Sequence, residues 1–221
     1  KQNKEKSMKY VTLNNGVEMP QLGYGVYQVE PAEASRCVSD ALSVGYRLID
    51  TAQAYYNEEG VGAAVKNSGI ARSEVFIVSK VWISNYGYER AKASIDQSLR
   101  LLQTDYIDLM LLHQPYCDYY GAYRALEEAY REGKLRAIGV SNFQPSQFID
   151  LATNVDIVPA VNQVEAHVFC QQIKAKKYMD EFGTQTMSWG PLAEGRNGLF
   201  TNPVLAEIGK AHSKSVAQVA L

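Results

Sequence analysis

The sequence predicts a closed α/β barrel of parallel strands, and three observations carry that prediction. From Leu22 onward, short apolar runs alternate with amphipathic stretches of roughly 10 to 15 residues, the pattern of strands joined by helical crossovers. Several runs end on charged or proton-exchanging residues: Leu48-Ile49 leads into Asp50, the run from Val75 to Ser79 into Lys80, and the run from Ile107 to Leu112 into His113. A strand buried on both faces tolerates a charge at its end mainly when that charge is partnered, so these endings point to a shared polar site. Polar residues also close strands throughout the series instead of gathering at one point of reversal, which suits a barrel better than an open sheet.

A hairpin comes first. Tyr10-Val11-Thr12-Leu13 and Val17-Glu18-Met19 flank Asn14-Asn15-Gly16, and Asn-Gly supplies the positive backbone angles of a tight turn, so this hairpin is expected to plug one end of the barrel. Strands are expected at 21–23, 48–50, 76–80, 106–113, 137–140, 160–163 and 186–188. Helices are expected at 32–44, 57–68, 88–102, 119–132, 145–153, 171–182 and 203–212. Ser215 is placed to cap a further helix that begins near the last residues. Seven strand–helix units result, with the eighth strand absent, and a barrel opened by one strand exposes two edges. The expectation is therefore a single barrel domain spanning 1–221, incomplete at its carboxyl end and part of a longer chain.

Composition narrows the function. At 221 residues and 46% hydrophobic content the chain can bury one substantial core. With 22 basic and 24 acidic residues, and a net charge of −2, it carries no electrostatic footprint for nucleic acid or an anionic membrane. No apolar run reaches membrane-spanning length, and the charged start at residues 1–6, read as mobile, lacks the apolar stretch of a secretory signal. A cytoplasmic monomer with a small-molecule partner is expected. Cys37, Cys117 and Cys170 are scattered without metal or redox spacing, so they read as free thiols and no metal site is expected.

Asp50, Tyr55, Lys80 and His113, brought together, have distinct uses. Singly each has an ordinary explanation: a turn residue, one of 15 tyrosines, a solvated strand-end lysine, a core histidine. Jointly, the Lys80 ammonium is expected to lower the Tyr55 pKa from its usual value near 10, with Asp50 holding Lys80 charged and in place. Tyr55 could then protonate a carbonyl oxygen as charge develops there, while His113 donates a hydrogen bond to the same oxygen. Carbonyl reduction by this set needs a hydride donor that no side chain supplies, so a nicotinamide cofactor is implied.

On longer stretches the chain resembles the aldo-keto reductases, most of all the bacterial branch that includes 2,5-diketo-gluconate reductases. The matching segments are Met19-Pro20-Gln21-Leu22-Gly23-Tyr24-Gly25, Gly45-Tyr46-Arg47-Leu48-Ile49-Asp50-Thr51-Ala52-Gln53-Ala54-Tyr55, Val78-Ser79-Lys80, Leu112-His113-Gln114-Pro115, the run from Gly133 to Phe143, and Pro159-Ala160-Val161-Asn162-Gln163. The resemblance implies a (β/α)8 barrel, a catalytic tetrad at Asp50, Tyr55, Lys80 and His113, and NADP(H)-dependent reduction of small aldehydes or ketones, with NAD(H) left open. It further implies that Ser141, Asn142 and Gln163 bond the nicotinamide carboxamide and that Trp189 stacks on its ring. Gly190 and Leu192 would belong to a loop over the pyrophosphate, in which Glu194 is a poor companion for an anion. Tyr27 and Trp82, with His113, match positions lining the substrate pocket. The 2′-phosphate motif of the family would lie beyond Leu221. A second reading from another class stays open: a regulatory protein that holds the cofactor on this scaffold with little turnover.

Overall fold

A computed structural model describes residues 8–221; the charged start lies outside them. The chain opens with a hairpin of β1 (Tyr10–Thr12) and β2 (Glu18–Pro20), antiparallel, with Val11 opposite Met19. Gly16 at the turn has φ +84°, a conformation that side chains other than glycine's rarely adopt.

Strand and helix then alternate: β3 (Gly23–Gly25), α1 (Pro31–Ser43), β4 (Leu48–Asp50), α2 (Glu58–Asn67), β5 (Phe76–Val81), α3 (Tyr88–Leu101), β6 (Leu109–Leu112), α4 (Tyr119–Arg131), β7 (Ile138–Ser141), α5 (Pro145–Asn154), β8 (Val161–Glu165), α6 (Ile173–Glu181), β9 (Gln185–Trp189), α7 (Pro203–His212) and α8 (Val216–Ala220). The seven strands β3 to β9 pair in parallel and in sequence order, each with its neighbour, so among the described residues β3 and β9 are the edges of one curled sheet. The architecture is that of a (β/α)8 barrel through its seventh unit.

Two apolar layers hold it. Side chains on the outer face of the strands, among them Ile49, Ile77, Met110 and Val140, pack against the helices with Val61, Ile95, Leu126 and Phe148. Inside the barrel, Leu48, Phe76, Val78, Leu109, Leu111, Ala137, Ala160 and Val161 form a second cluster, closed from one end by Leu13 and Met19 of the hairpin. Asn14 Nδ2 donates to Pro159 O at 3.3 Å and Asn15 Nδ2 to Arg136 O at 2.9 Å, tying the hairpin to the loops that precede β8 and β7. The expected plug is therefore present, at the amino-terminal end of the strands. Where β7 meets β8 the backbones approach so closely that a Cβ on Gly139 would lie 2.3 Å from Val161 O.

Several boundaries differ from expectation, two of them for evident local reasons. The strand expected at 106–113 is only Leu109–Leu112, because the buried Asp108 turns its carboxylate onto the Ile77 N–H (2.9 Å) and onto Arg72 and Arg136. The helix expected from residue 171 starts at Ile173, since Gln172 is left-handed (φ 53°) and sends its amide to Glu165 O at 2.7 Å. The first barrel strand starts at Gly23 and not at residue 21. The expected cap of the last helix is there: Ser215 Oγ accepts the Gln218 N–H and Gln218 Oε1 accepts the Ser215 N–H.

Candidate active site

The carboxyl ends of the strands converge on one polar cluster. Asp50 ends β4, Lys80 is the penultimate residue of β5, and His113 follows β6, its N–H donating to Val81 O at 3.1 Å. Tyr55, unlike these three, does not belong to a strand end. It closes a 3-10 turn, Gln53–Tyr55, after β4, and the left-handed Tyr56 (φ 56°) stops that turn.

Lys80 is the hub. Buried to 1% exposure, its Nζ donates to Asp50 Oδ1 at 2.6 Å, to Thr51 O at 2.9 Å and to Tyr55 Oη at 3.4 Å, which uses all three ammonium donors. Burial pulls the Lys80 pKa down, but Asp50 and Tyr55 outweigh it and hold the ammonium above its ordinary value. Asp50 is spent as fully, its second oxygen accepting Gln163 Nε2 at 2.8 Å.

The Tyr55 phenol departs from expectation. Burial raises its pKa, and the Lys80 charge, which acts downward, does not overcome that. Desolvation of a phenolate beside an already paired ammonium costs more than the attraction returns, because Asp50 neutralises much of the Lys80 field. Tyr55 is thus a held proton and not a pre-formed phenolate. His113 is buried against it, with ring centroids 5.6 Å apart. Burial first, and the Lys80 charge second, lower the His113 pKa to about 3, so the ring is neutral at ordinary pH. Its Nδ1 is buried without a hydrogen-bond partner.

Aromatic side chains wall this group. Tyr27 stands 5.1 Å from the Tyr55 ring and Trp82 meets His113 edge-on at 5.0 Å, so both expected wall residues lie beside the proton-bearing pair. Tyr27 is 60% exposed, which puts it at the rim.

The opposite side is a chain of amides. Ser141 Oγ donates to Gln163 O at 2.9 Å, and Asn142 Nδ2 donates to His113 O at 3.0 Å and to Ser141 Oγ at 3.2 Å. Trp189, the last residue of β9, donates its Nε1–H to Asn142 Oδ1 at 2.8 Å. Asn142 holds a left-handed backbone (φ 64°) that aims its side chain along this line. Ser141, Asn142, Gln163 and Trp189 therefore sit together, joined to the tetrad through Gln163–Asp50 and Asn142–His113. A hydroxyl, two amides and an indole fit a primary carboxamide on a flat ring, because amide groups offer donor and acceptor side by side.

Gly190 and Leu192 continue past Trp189 into a loop whose Gly190 (φ 59°), Ala193 (φ 51°), Glu194 (φ 50°) and Gly195 (φ 73°) are all left-handed. Leu192 packs on Ala193, Leu199 and Leu205. The Glu194 charge is answered by Arg196 at 2.9 Å, which sequence reading missed.

Also missed were Gln53, whose amide makes four hydrogen bonds around Tyr55, and Glu58. Glu58 is 3% exposed and accepts Ser79 Oγ at 2.6 Å, with its pKa raised by burial. No side-chain group among the described residues has the makings of a metal site, and the three cysteines are unpaired. No helix among them is long and apolar enough to cross a membrane.

The aldo/keto reductase family pattern matches residues 19–221. Glyoxal reductase of Bacillus subtilis is 50% identical over 213 residues, covering 96% of this chain and 76% of that protein. Methylglyoxal reductase DkgA of Escherichia coli is 40% identical over 214 residues, covering 96% and 77%. The crystal structure of a Bombyx mori aldo-keto reductase in complex with NADP superposes with a TM-score of 0.90 at 28% identity, covering 96% of this chain and 78% of that one. The chain belongs to the aldo/keto reductase family, whose members are oxidoreductases that act on carbonyl groups.

Proposed function

We propose that this protein reduces small aldehydes and ketones to alcohols with NADP(H), and that dicarbonyl aldehydes of the glyoxal type are among its substrates. The observation that carries the reading is the convergence of a protonated phenol, a neutral imidazole and a paired ammonium around one point, walled by Tyr27 and Trp82. When bound, a reduced nicotinamide supplies the hydride for the carbonyl carbon. Ser141, Asn142 and Gln163 would hold its carboxamide, Trp189 would cover its ring, Asp50 would border it, and Gly190 and Leu192 would lie along its phosphates.

The rest of the chemistry is the chain's own. The carbonyl oxygen takes a hydrogen bond from His113 Nε2–H and another from Tyr55 Oη–H. As charge develops on that oxygen, the Tyr55 proton moves to it, and the phenolate left behind is stabilised by Lys80 Nζ at 3.4 Å. The high resting pKa of Tyr55 suits this role, since an acid must arrive protonated, while the nearby ammonium lowers the cost of giving the proton up. Relatives named for glyoxal and methylglyoxal support the substrate class, and the NADP-bound relative supports the cofactor. Near-balanced charge supports small-molecule partners; action as a cytoplasmic monomer, with 1–221 as one barrel domain, belongs to the same proposal.

The test is turnover of glyoxal, methylglyoxal and simple ketones followed by NADPH absorbance, for the wild type and Tyr55→Phe. Loss of a general acid predicts a fall in kcat of about 10² to 10⁴-fold with the NADPH Kd nearly unchanged. Tight NADPH binding by the wild type with no turnover on any carbonyl would instead support a regulatory scaffold.

A further inference from the structure

Gln53 lies two residues before Tyr55 in the same 3-10 turn, and its side chain is engaged at every position. Its Oε1 accepts the backbone N–H of Trp82 at 3.0 Å and Asn85 Nδ2 at 2.9 Å. Its Nε2 donates to Ser94 O at 3.2 Å and Ser98 Oγ at 3.1 Å. Neither the turn that carries Tyr55 nor the 3-10 turn after β5, Ile83–Asn85, has a side-chain cap, and the Gln53 amide joins the two. The contacts close a ring: Gln53 leads along the backbone to Tyr55 and through Trp82 to His113, and the His113 ring meets that of Tyr55 edge-on, at 5.6 Å between centroids. An amide that satisfies four partners at once fixes both the height and the rotation of the turn, whereas a single bond would leave it free to pivot.

We infer that Gln53 is a positioning residue that locks the Tyr55 turn and the Trp82 wall into one unit, setting how a carbonyl sits between proton donor and aromatic wall. The inference rests on the carbonyl-reductase reading above. It differs from a purely structural role in what it moves: orientation at the site, with cofactor binding on the Ser141 and Gln163 side left alone.

Gln53→Met removes all four bonds at similar volume. With methylglyoxal, kcat should fall about tenfold and KM rise about fivefold, while the NADPH Kd stays within about twofold, as expected when geometry and not binding is lost. A second readout does not depend on turnover. The chain has two tryptophans, so in a Trp189→Phe background Trp82 is the sole indole, and its quenching by acrylamide should rise about twofold with Gln53→Met as the wall loosens. Asn85→Ala, which removes one of the two donors to Oε1, should raise quenching in the same direction by less, and it serves if Gln53→Met does not fold. Unchanged quenching overturns the inference whether or not the protein turns over. Raised quenching with unchanged kcat and KM, in a wild type that is active, overturns it as well. An inactive wild type sinks the reductase reading alone, and quenching then decides the coupling.

Discussion

At the scale of single residues, His113 carries the clearest pH signature. In the unfolded chain its pKa returns to about 6.5, whereas in the fold it lies at about 3. Between those values the unfolded state takes up a proton that the folded state refuses, so stability is fully present above about pH 6.5 and drains away as pH falls toward 3. From pH 7 to 4.5 this one residue should remove about 2 to 3 kcal/mol. Urea unfolding at the two pH values should show that much less loss in His113→Gln than in the wild type; equal slopes would mean the ring is charged in the fold. For the reaction the sign differs. Tyr55 must hold its proton and its pKa is raised, so kcat/KM for reduction should stay level across neutral pH and fall only in strong alkali. A falling limb near pH 7 would show that Tyr55 is not the acid. Asp50, Lys80 and His113 were legible in the sequence because a charge ending an apolar strand is costly unless shared. Gln53 and Glu58 were not, because their partners lie up to 45 residues away and nothing about a glutamine after Thr51-Ala52 announces them.

At the scale of elements, the two ends of the strands divide the work. The amino-terminal end of β6 holds Asp108, 1% exposed, which takes Arg72 at 2.8 Å, Arg136 at 2.7 Å and the Ile77 N–H at 2.9 Å. Tyr106 lies under the Arg72 guanidinium at 4.2 Å, adding a cation–π contact. At about 3.3 Å per residue, the five steps from Asp108 to His113 separate this network from the site by roughly 16 Å. Asp108→Asn should therefore destabilise by about 3 kcal/mol, by leaving one arginine without its buried partner. The kcat/KM per folded molecule should not change. A drop in activity without a drop in the urea midpoint would contradict this division. The same carboxylate explains why the strand is shorter than its apolar run: alternation marks which residues are buried, but not where a side chain replaces a neighbouring strand as hydrogen-bond partner. Helix limits were legible where a proline or a cap marks them, as at Pro145 and Pro203, and illegible at Gln172, whose left-handed backbone depends on reaching Glu165.

At the scale of the whole molecule, the barrel interior is stoppered at one end by a hairpin and opens at the other into the polar site. Leu13 and Met19, both about 4% exposed, belong to the same apolar cluster as Leu48, Phe76 and Leu109, so the stopper and the strands share one core. Met19→Ala should cost about 2 to 5 kcal/mol, the usual range for emptying a buried site of that size, and Leu13→Ala a similar amount. The two should not add. Once one anchor is cut, the hairpin is held mainly by Asn14 and Asn15 at its tip, and part of what the second anchor contributed has already gone. The double variant should therefore lose less than the sum of the singles, by about 0.5 kcal/mol or more. Because the interior layers of Val78, Leu109 and Leu111 stand between stopper and tetrad, each single variant should keep its kcat/KM once the folded fraction is accounted for. Additive costs in urea unfolding would show that the two anchors act independently and that the hairpin does not move as a unit. Loss of turnover at full folding would show instead that the stopper's packing reaches through the barrel to Lys80.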